Sequence, residues 1–527
     1  MTAAPPIERR ASRHQRSPAR GWWTAAAIAL APTLIPPLSL LWQVTFEGSG
    51  LLLPFSRLVE LFVSTLLLTA AVTATALSIG TSTAWISSRT RIPFRRIWMI
   101  VAALPLVIPS YVAALTIIGG TGPEGLFSSW LGITIPTPYG FIGAWLALGV
   151  FLAPMAHLIV TPGLRLIDPA TEEAAIGLGA SRTKAFFTVT LPQLRPALIS
   201  AGLMVGLYTI SDFGAVSLMR FDTFTRAIYT LYQGQIDRRP AATLSLVLMG
   251  LAVLILFAER KTRGRAAYHT TRTRRQRIRR DLTTSGSWIA TIWMSAVAAI
   301  SLVLPVAVLV FWLARGLGAG QDLTSIWPEI GRSLGVSVLA GAVAVAAALP
   351  VAMVTARKPS RLASIAESAA WGTYALPHIT IGVAMIGFAL TLARPLYQTL
   401  VLLVGTYVIM FLAQAMGSAQ DSIKRLSPDL EDASRGLGHG QLSTLFRVTI
   451  PMVSPGLLAG AALVFIGVIK ELPATLLLRP NGFETLAVRI WSATSEGFLT
   501  RASMAGLALI AVSIVPLFLV TSRDLSD

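Results

Sequence analysis

Glu172-Glu173-Ala174-Ala175-Ile176-Gly177-Leu178-Gly179, continuing to Val189-Thr190-Leu191-Pro192, is a polar island in a strongly apolar chain, and it occurs twice. Displaced by 259 residues, Glu431-Asp432-Ala433-Ser434-Arg435-Gly436-Leu437-Gly438 runs on to Val448-Thr449-Ile450-Pro451. From Pro169 to Pro196, set against Pro428 to Pro455, 11 of 28 positions are identical without a gap, which marks an internal duplication. Each copy predicts a short helix, a glycine turn and a second helix. Pro169 suits a helix start, and Glu172 and Glu173 are expected in the first turn, where the helix dipole favours anions. Gly179 permits a positive φ at the C-cap. Pro192 is expected to close the second piece before an apolar run from Ala197.

The chain around this repeat has 527 residues, 54% of them apolar and 13% charged, which is the composition of a polytopic membrane protein. It contains no cysteine, so disulfides, thiolate catalysis and thiolate metal sites are excluded. At about 20 apolar residues per crossing, predicted spans start near Trp22, Leu61, Ile97, Phe141, Leu198 and Thr243, then Trp288, Leu334, Ala363, Thr399, Gly456 and Ala502. The fold expected is an all-α polytopic membrane protein of about twelve transmembrane helices, in two six-helix halves related by a pseudo-twofold axis. The organisation expected is a basic tail (1–20), a first repeat (21–258), a basic linker (259–287), a second repeat (288–522) and a short tail (523–527).

Arginine placement sets the expected orientation. Arg89, Arg91, Arg95 and Arg96 follow the second span, and Arg165, Arg182, Lys184 and Arg195 surround the first polar island. The linker from Glu259 to Ser287 carries ten Lys/Arg against two acids. These segments and both termini are expected in the cytoplasm, although four arginines between Arg220 and Pro240 face outward in that arrangement. Juxtamembrane arginine is accounted for by an anionic inner leaflet, so the Arg272–Arg280 cluster predicts lipid and not nucleic acid as its partner.

The Glu-Ala-Ala, three residues, Gly, nine residues, aliphatic, one residue, Leu-Pro pattern resembles the EAA loop of ATP-binding-cassette importer permeases. The first copy matches at Glu173, Ala174, Ala175, Gly179, Val189, Leu191 and Pro192; the second departs with Asp432-Ala433-Ser434 before Gly438, and with Ile450 before Pro451. The resemblance implies a type I importer fold in a bacterial inner membrane, with both loops docking into two cytoplasmic ATPase subunits. It also implies a periplasmic solute-binding protein as partner. ATP and Mg would then belong to the partner subunits, and this chain would bind no cofactor and have no enzymatic site of its own. The chain lacks the Gly-x-x-x-x-Gly-Lys-Ser/Thr phosphate loop, and His-Glu-x-x-His and Gly-x-Ser-x-Gly are likewise absent.

A second repeated feature follows each loop. Asp212 and Arg220, shifted by the same 259 residues, meet Glu471 and Arg479. A carboxylate in a membrane span costs roughly 2.5–3.5 kcal/mol on insertion scales, so both acids should face the protein interior. Either they tie helix ends to neighbouring donors, or they line a translocation path or gate on which Arg220 and Arg479 hold them at rest. His378, beside Pro377, is expected to be a hydrogen-bonded packing residue and not a metal ligand. Lys470-Glu471-Leu472-Pro473-Ala474-Thr475-Leu476-Leu477-Leu478-Arg479-Pro480 and Ser211-Asp212-Phe213-Gly214-Ala215 resemble the fused permeases of periplasmic-binding-protein-dependent iron(III) importers. Related fused permeases for thiamine or phosphonate share much of this pattern. A twelve-helix secondary transporter also fits a six-plus-six layout, but Arg89–Arg96 lacks the Gly and Asp signature that group carries after its second span.

Overall fold

The computed structural model describes residues 20–46, 53–234, 237–264, 284–322, 326–357 and 360–524. The expected basic tail up to residue 19, the middle of the expected linker (265–283) and the last three residues lie outside the described residues. Among the described residues the chain is helical, with no β-strand, and every predicted span start falls in a helix or at its cap. In the first half these helices are α1 (Arg20–Leu30), α2 (Ile35–Phe46), α3 (Phe55–Arg89), α4 (Arg95–Ala103), α5 (Ser110–Gly120), α6 (Phe141–Phe151) and α7 (Ala153–Leu166). They continue with α8 (Pro169–Gly177), α9 (Leu191–Ser211), α10 (Gly214–Leu218), α11 (Phe224–Gly234) and α12 (Arg239–Gly264). The second half opens with α13 (Thr284–Ala298), α14 (Leu304–Gly318), α15 (Trp327–Arg357), α16 (Arg361–Tyr374) and α17 (His378–Leu392). It closes with α18 (Leu400–Arg425), α19 (Pro428–Gly436), α20 (Ile450–Ile469), α21 (Pro473–Leu478), α22 (Leu486–Ser495) and α23 (Leu499–Asp524).

Two predicted spans are not straight rods. The third breaks between α4 and α5 with a bend of 91°, and the ninth between α16 and α17 with a bend of 101°. Proline is the cause at both places, since it donates no hydrogen bond and pushes the preceding residue out of helical geometry. Ile108, before Pro109, is extended at ψ 116°, and Pro377 itself is extended at ψ 131°. Among the described residues nine helices can cross a membrane alone by length and composition, and the two bent pairs bring the number to eleven. The twelfth predicted segment lies in α23, with Leu499–Ile514 as its apolar helical stretch among the described residues.

The polar islands also differ in one respect from expectation. Pro192 does not close a separate second helix. Arg182–Ser211 is one helical rod, with a π-helical turn at Phe186–Thr190 just before Leu191-Pro192. The turn widens the backbone where the proline removes a donor, so the rod continues into the fifth span. The second copy repeats this, with a π turn at Leu445–Thr449 ahead of Pro451.

The two halves are interleaved. One core combines Ala26 and Leu40 of the first half with Val351, Ile379 and Tyr407 of the second. The other combines Val112 and Leu148 with Leu309 and Leu509. The first span of each half therefore packs on the opposite half. Ser39 of α2 donates to the Ala384 carbonyl of α17 at 2.8 Å, and Trp312 of α14 donates to the Gly119 carbonyl of α5 at 2.8 Å. Gly119 and its counterpart Gly387 leave room for these crossings: a Cβ on Gly387 would collide with Gln43, and one on Gly119 would lie 2.8 Å from the Trp312 indole nitrogen.

Candidate functional site

The two loops form matched structures at one end of the molecule. Pro169 and Pro428 start α8 and α19, capped by the side chains of Asp168 and Ser427. Gly179 and Gly438 end them at φ +91° and +88°. Nothing lies within 4 Å of a Cβ built on either glycine, so backbone conformation alone selects glycine there. Glu172 lies in the first turn of α8 and is buried, while Glu173 falls one place beyond it and is exposed, as is Ala174; Ala175 is half-buried. In the second copy Asp432 and Ala433 are exposed and Ser434 is buried against Thr444, with the hydroxyl oxygens 3.1 Å apart. Leu178 and Leu437, at the tips, are 90% and 81% exposed, and Phe187 and Phe446 are 59% and 65% exposed. Apolar side chains are thus left bare at equivalent positions of the two copies.

Beneath the loops, one arginine per half stands at the end of that half's longest helix. Arg357, the last residue of α15, donates to the Leu426 carbonyl at 3.0 Å and to Glu431 Oε1 at 2.8 Å. Thr449, in the π turn, donates to the same Glu431 oxygen at 3.1 Å. One buried carboxylate thus joins α15, α19 and the foot of α20. In the first half, Arg89 at the end of α3 donates to the Leu164 and Ile167 carbonyls at 2.6 and 2.8 Å. Ile167 and Leu426 are equivalent across the repeat, as are Glu172 and Glu431, both buried.

At the far ends of α9 and α20 a cavity of about 320 Å³ opens between the halves. Asp212 and Glu471 both line it, as do Ser110, His378 and Lys470. Each acid stands two residues before a short helix and accepts hydrogen bonds from its first turn. Asp212 Oδ1 accepts from Ala215 N at 3.0 Å and Val216 N at 3.4 Å; Glu471 Oε1 accepts from Ala474 N at 3.0 Å. The residue that opens the helix after each proline break completes the pair: Ser110 bonds the Asp212 side chain, and His378 Nδ1 bonds Glu471 Oε2 at 2.6 Å. His378 is hydrogen-bonded, as expected, and among the described residues no cluster of three or more His, Asp or Glu side chains could hold a metal ion. Phe213, Tyr229 and Trp491 stack just beyond the acids, with ring centroids 4.8 to 6.1 Å apart.

Residues 348–523 match the family described as binding-protein-dependent transport system inner membrane component. The chain is 31% identical over 508 residues to the Fe(3+)-transport system permease protein FbpB 2 of Haemophilus influenzae, covering 94% of this chain and 97% of the relative. It belongs to this permease family. The ferric transport system permease protein FbpB of Actinobacillus pleuropneumoniae is 24% identical, over 80% of this chain and 65% of its own. The sulfate transport system permease protein CysT of Escherichia coli is 30% identical over 34% of this chain and 67% of its own. The chain is thus a multi-pass inner-membrane permease of a binding-protein-dependent importer, and its relatives are membrane subunits of such systems.

In this permease the two arginines aligned with the acids have other partners. Arg220, in the left-handed region at φ 54°, lies over the Tyr139 ring at 4.9 Å. Arg479 pairs with Glu484 at 3.3 Å, and Arg489 holds the same carboxylate at 3.4 Å. Glu484 has a counterpart in Asp222, which Arg57 holds at 2.6 Å and Arg226 also contacts. Burial alone would raise the Asp222 carboxyl, but Arg57 and Arg226 outweigh it and keep it below its ordinary value. Sequence reasoning missed Ser110, Arg89 and Arg357. A signal existed: Arg89 and Arg357, Pro109 and Pro377, and Ser110 and His378 are each 268 residues apart, not 259.

Proposed function

We propose that this chain is the membrane permease of an ATP-driven, binding-protein-dependent importer of iron(III). One observation carries the substrate: the near-end-to-end likeness, at 31% identity, to a relative named for Fe(3+) transport.

Two cytoplasmic ATP-binding-cassette subunits, which hold ATP and Mg, dock on the exposed faces of α8 and α19. Glu173, Ala174 and Ala175, with Asp432 and Ala433, are the contact residues; Gly179 and Gly438 shape the tips. ATP-driven closure of those subunits rocks the two loops, and the arginine clamps pass the motion to α3 and α15. A periplasmic solute-binding protein delivers the cargo at the opposite end, where the Arg220–Pro240 and Arg479–Thr500 loops receive it. Both termini and the linker are cytoplasmic. Asp212 and Glu471 belong to the gate between the broken helices.

The test is uptake of radioactive iron(III) into proteoliposomes that hold the permease with its ATPase, supplied with the cognate binding protein outside. ATP-dependent accumulation is expected. Vigorous ATP hydrolysis with accumulation of a different solute would reassign the substrate and leave the coupling intact.

A further inference from the structure

Both acids of the cavity are already engaged. Asp212 holds the first turn of α10 and Ser110; Glu471 holds α21 through one oxygen and His378 through the other. Using either as a ligand for a bare cation would leave buried donors unpaired at the breaks that shape the cavity. Lys470 is differently placed. It lines the same cavity, and its ammonium reaches the Leu106 carbonyl at 3.1 Å. Its neighbour Glu471 is turned to His378, and among the described residues Lys470 enters no ion pair. An ammonium has three donors, so two remain for a ligand. The equivalent residue in the first half, 259 positions earlier, is Ser211, so the architecture of the break does not require a lysine.

We propose that Lys470 is a substrate-contacting specificity residue, and that the cargo presents anionic oxygen to it, as an anionic iron(III) chelate or as a free oxyanion. This rests on the importer reading and refines its substrate class. An ammonium repels a naked trivalent cation and attracts a cation that arrives inside a shell of negative oxygens. Half-buried and in no ion pair among the described residues, Lys470 sorts cargo by the sign of its outer surface. The asymmetry with Ser211 puts this contact on one side of the pseudo-twofold axis.

The experiment uses the intact permease with its ATPase and binding protein in proteoliposomes, and two probes: iron(III) citrate labelled in both iron and citrate carbon, and labelled sulfate. Lys470→Gln keeps a donor for the Leu106 carbonyl but deletes the charge. It is expected to raise KM for uptake roughly tenfold, the loss of one charge-assisted contact, while ATP hydrolysis continues. Lys470→Arg should retain uptake, and Lys470→Ser, which copies the first half and guards against misfolding of the Gln variant, should behave as Gln. Iron and citrate labels entering together identify the chelate. Sulfate entering without iron, with KM raised by Lys470→Gln, overturns the iron reading and upholds this one. Unchanged KM for iron uptake in Lys470→Gln overturns the proposal and leaves the iron reading standing; unchanged KM for sulfate, in a wild type that takes up no iron, overturns both. A wild type that accumulates neither probe overturns both.

Discussion

Single residues at two depths carry the machinery. Gly179 and Gly438 sit at φ +91° and +88° and donate to the Ile176 and Arg435 carbonyls at 2.9 and 3.0 Å. Proline fixes φ near −65° and has no N–H, so Gly179→Pro or Gly438→Pro should abolish uptake with the protein still in the membrane. Full uptake by Gly179→Pro at normal abundance would remove the coupling role. Deeper in, Asp212 and Glu471 cap short helices and line the cavity. Asp212→Asn and Glu471→Gln retain an acceptor oxygen for those caps, so the double variant should assemble with the ATPase yet lose most uptake. Unchanged uptake would leave the acids with a structural task alone.

Between elements, the Arg357–Glu431 pair is the most consequential contact. Its partners are 13% and 8% exposed, so solvent screens it little. Breaking a buried pair by removing one partner costs roughly 3–5 kcal/mol, and here the cost falls on the junction of α15, α19 and α20. Arg357→Ala should uncouple the complex, with ATP hydrolysis persisting while uptake falls tenfold or more, about 1.4 kcal/mol of lost coupling. Loss of the ATPase subunits on purification, in place of uncoupling, would show that the clamp only builds the docking face. The sequence exposed the loop but not its anchor. Arg89 reads as inside-facing charge by composition, whereas the structure buries it, and half-buries Arg357, at helix ends where carbonyls lack partners.

For the whole molecule, the interleaving of the halves makes a firm prediction. Residues 1–258 or 259–527 expressed alone should be degraded, because each core draws on both halves. Co-expression should rescue both pieces as a pair that co-purifies. Stable accumulation of either half alone would contradict the shared cores. Orientation is tested separately. A reporter fused after Thr271, in the basic linker, should score as cytoplasmic; an outward score would invert the assignment of the ATPase and binding-protein faces.

Span positions, the duplication, the loop turns and the interior placement of the two acids were all legible in the sequence. Each rests on local chemistry: an apolar run long enough for a bilayer, a proline at a helix start, a glycine at a positive φ, a carboxylate too costly to face lipid. The third and ninth spans needed more, since a proline within an apolar run is compatible with a straight, kinked or broken helix, and neighbouring packing chose a right-angled break. Hydrophobicity could not reveal that α1 and α14 lie on the opposite half, because a residue facing lipid and one facing protein are equally apolar. The pairing of Ser110 with Asp212 and of His378 with Glu471 was hidden because the two halves differ in length between the break and the loop. That shifts the register from 268 to 259 residues, so only the folded helices bring the matching positions to one cavity.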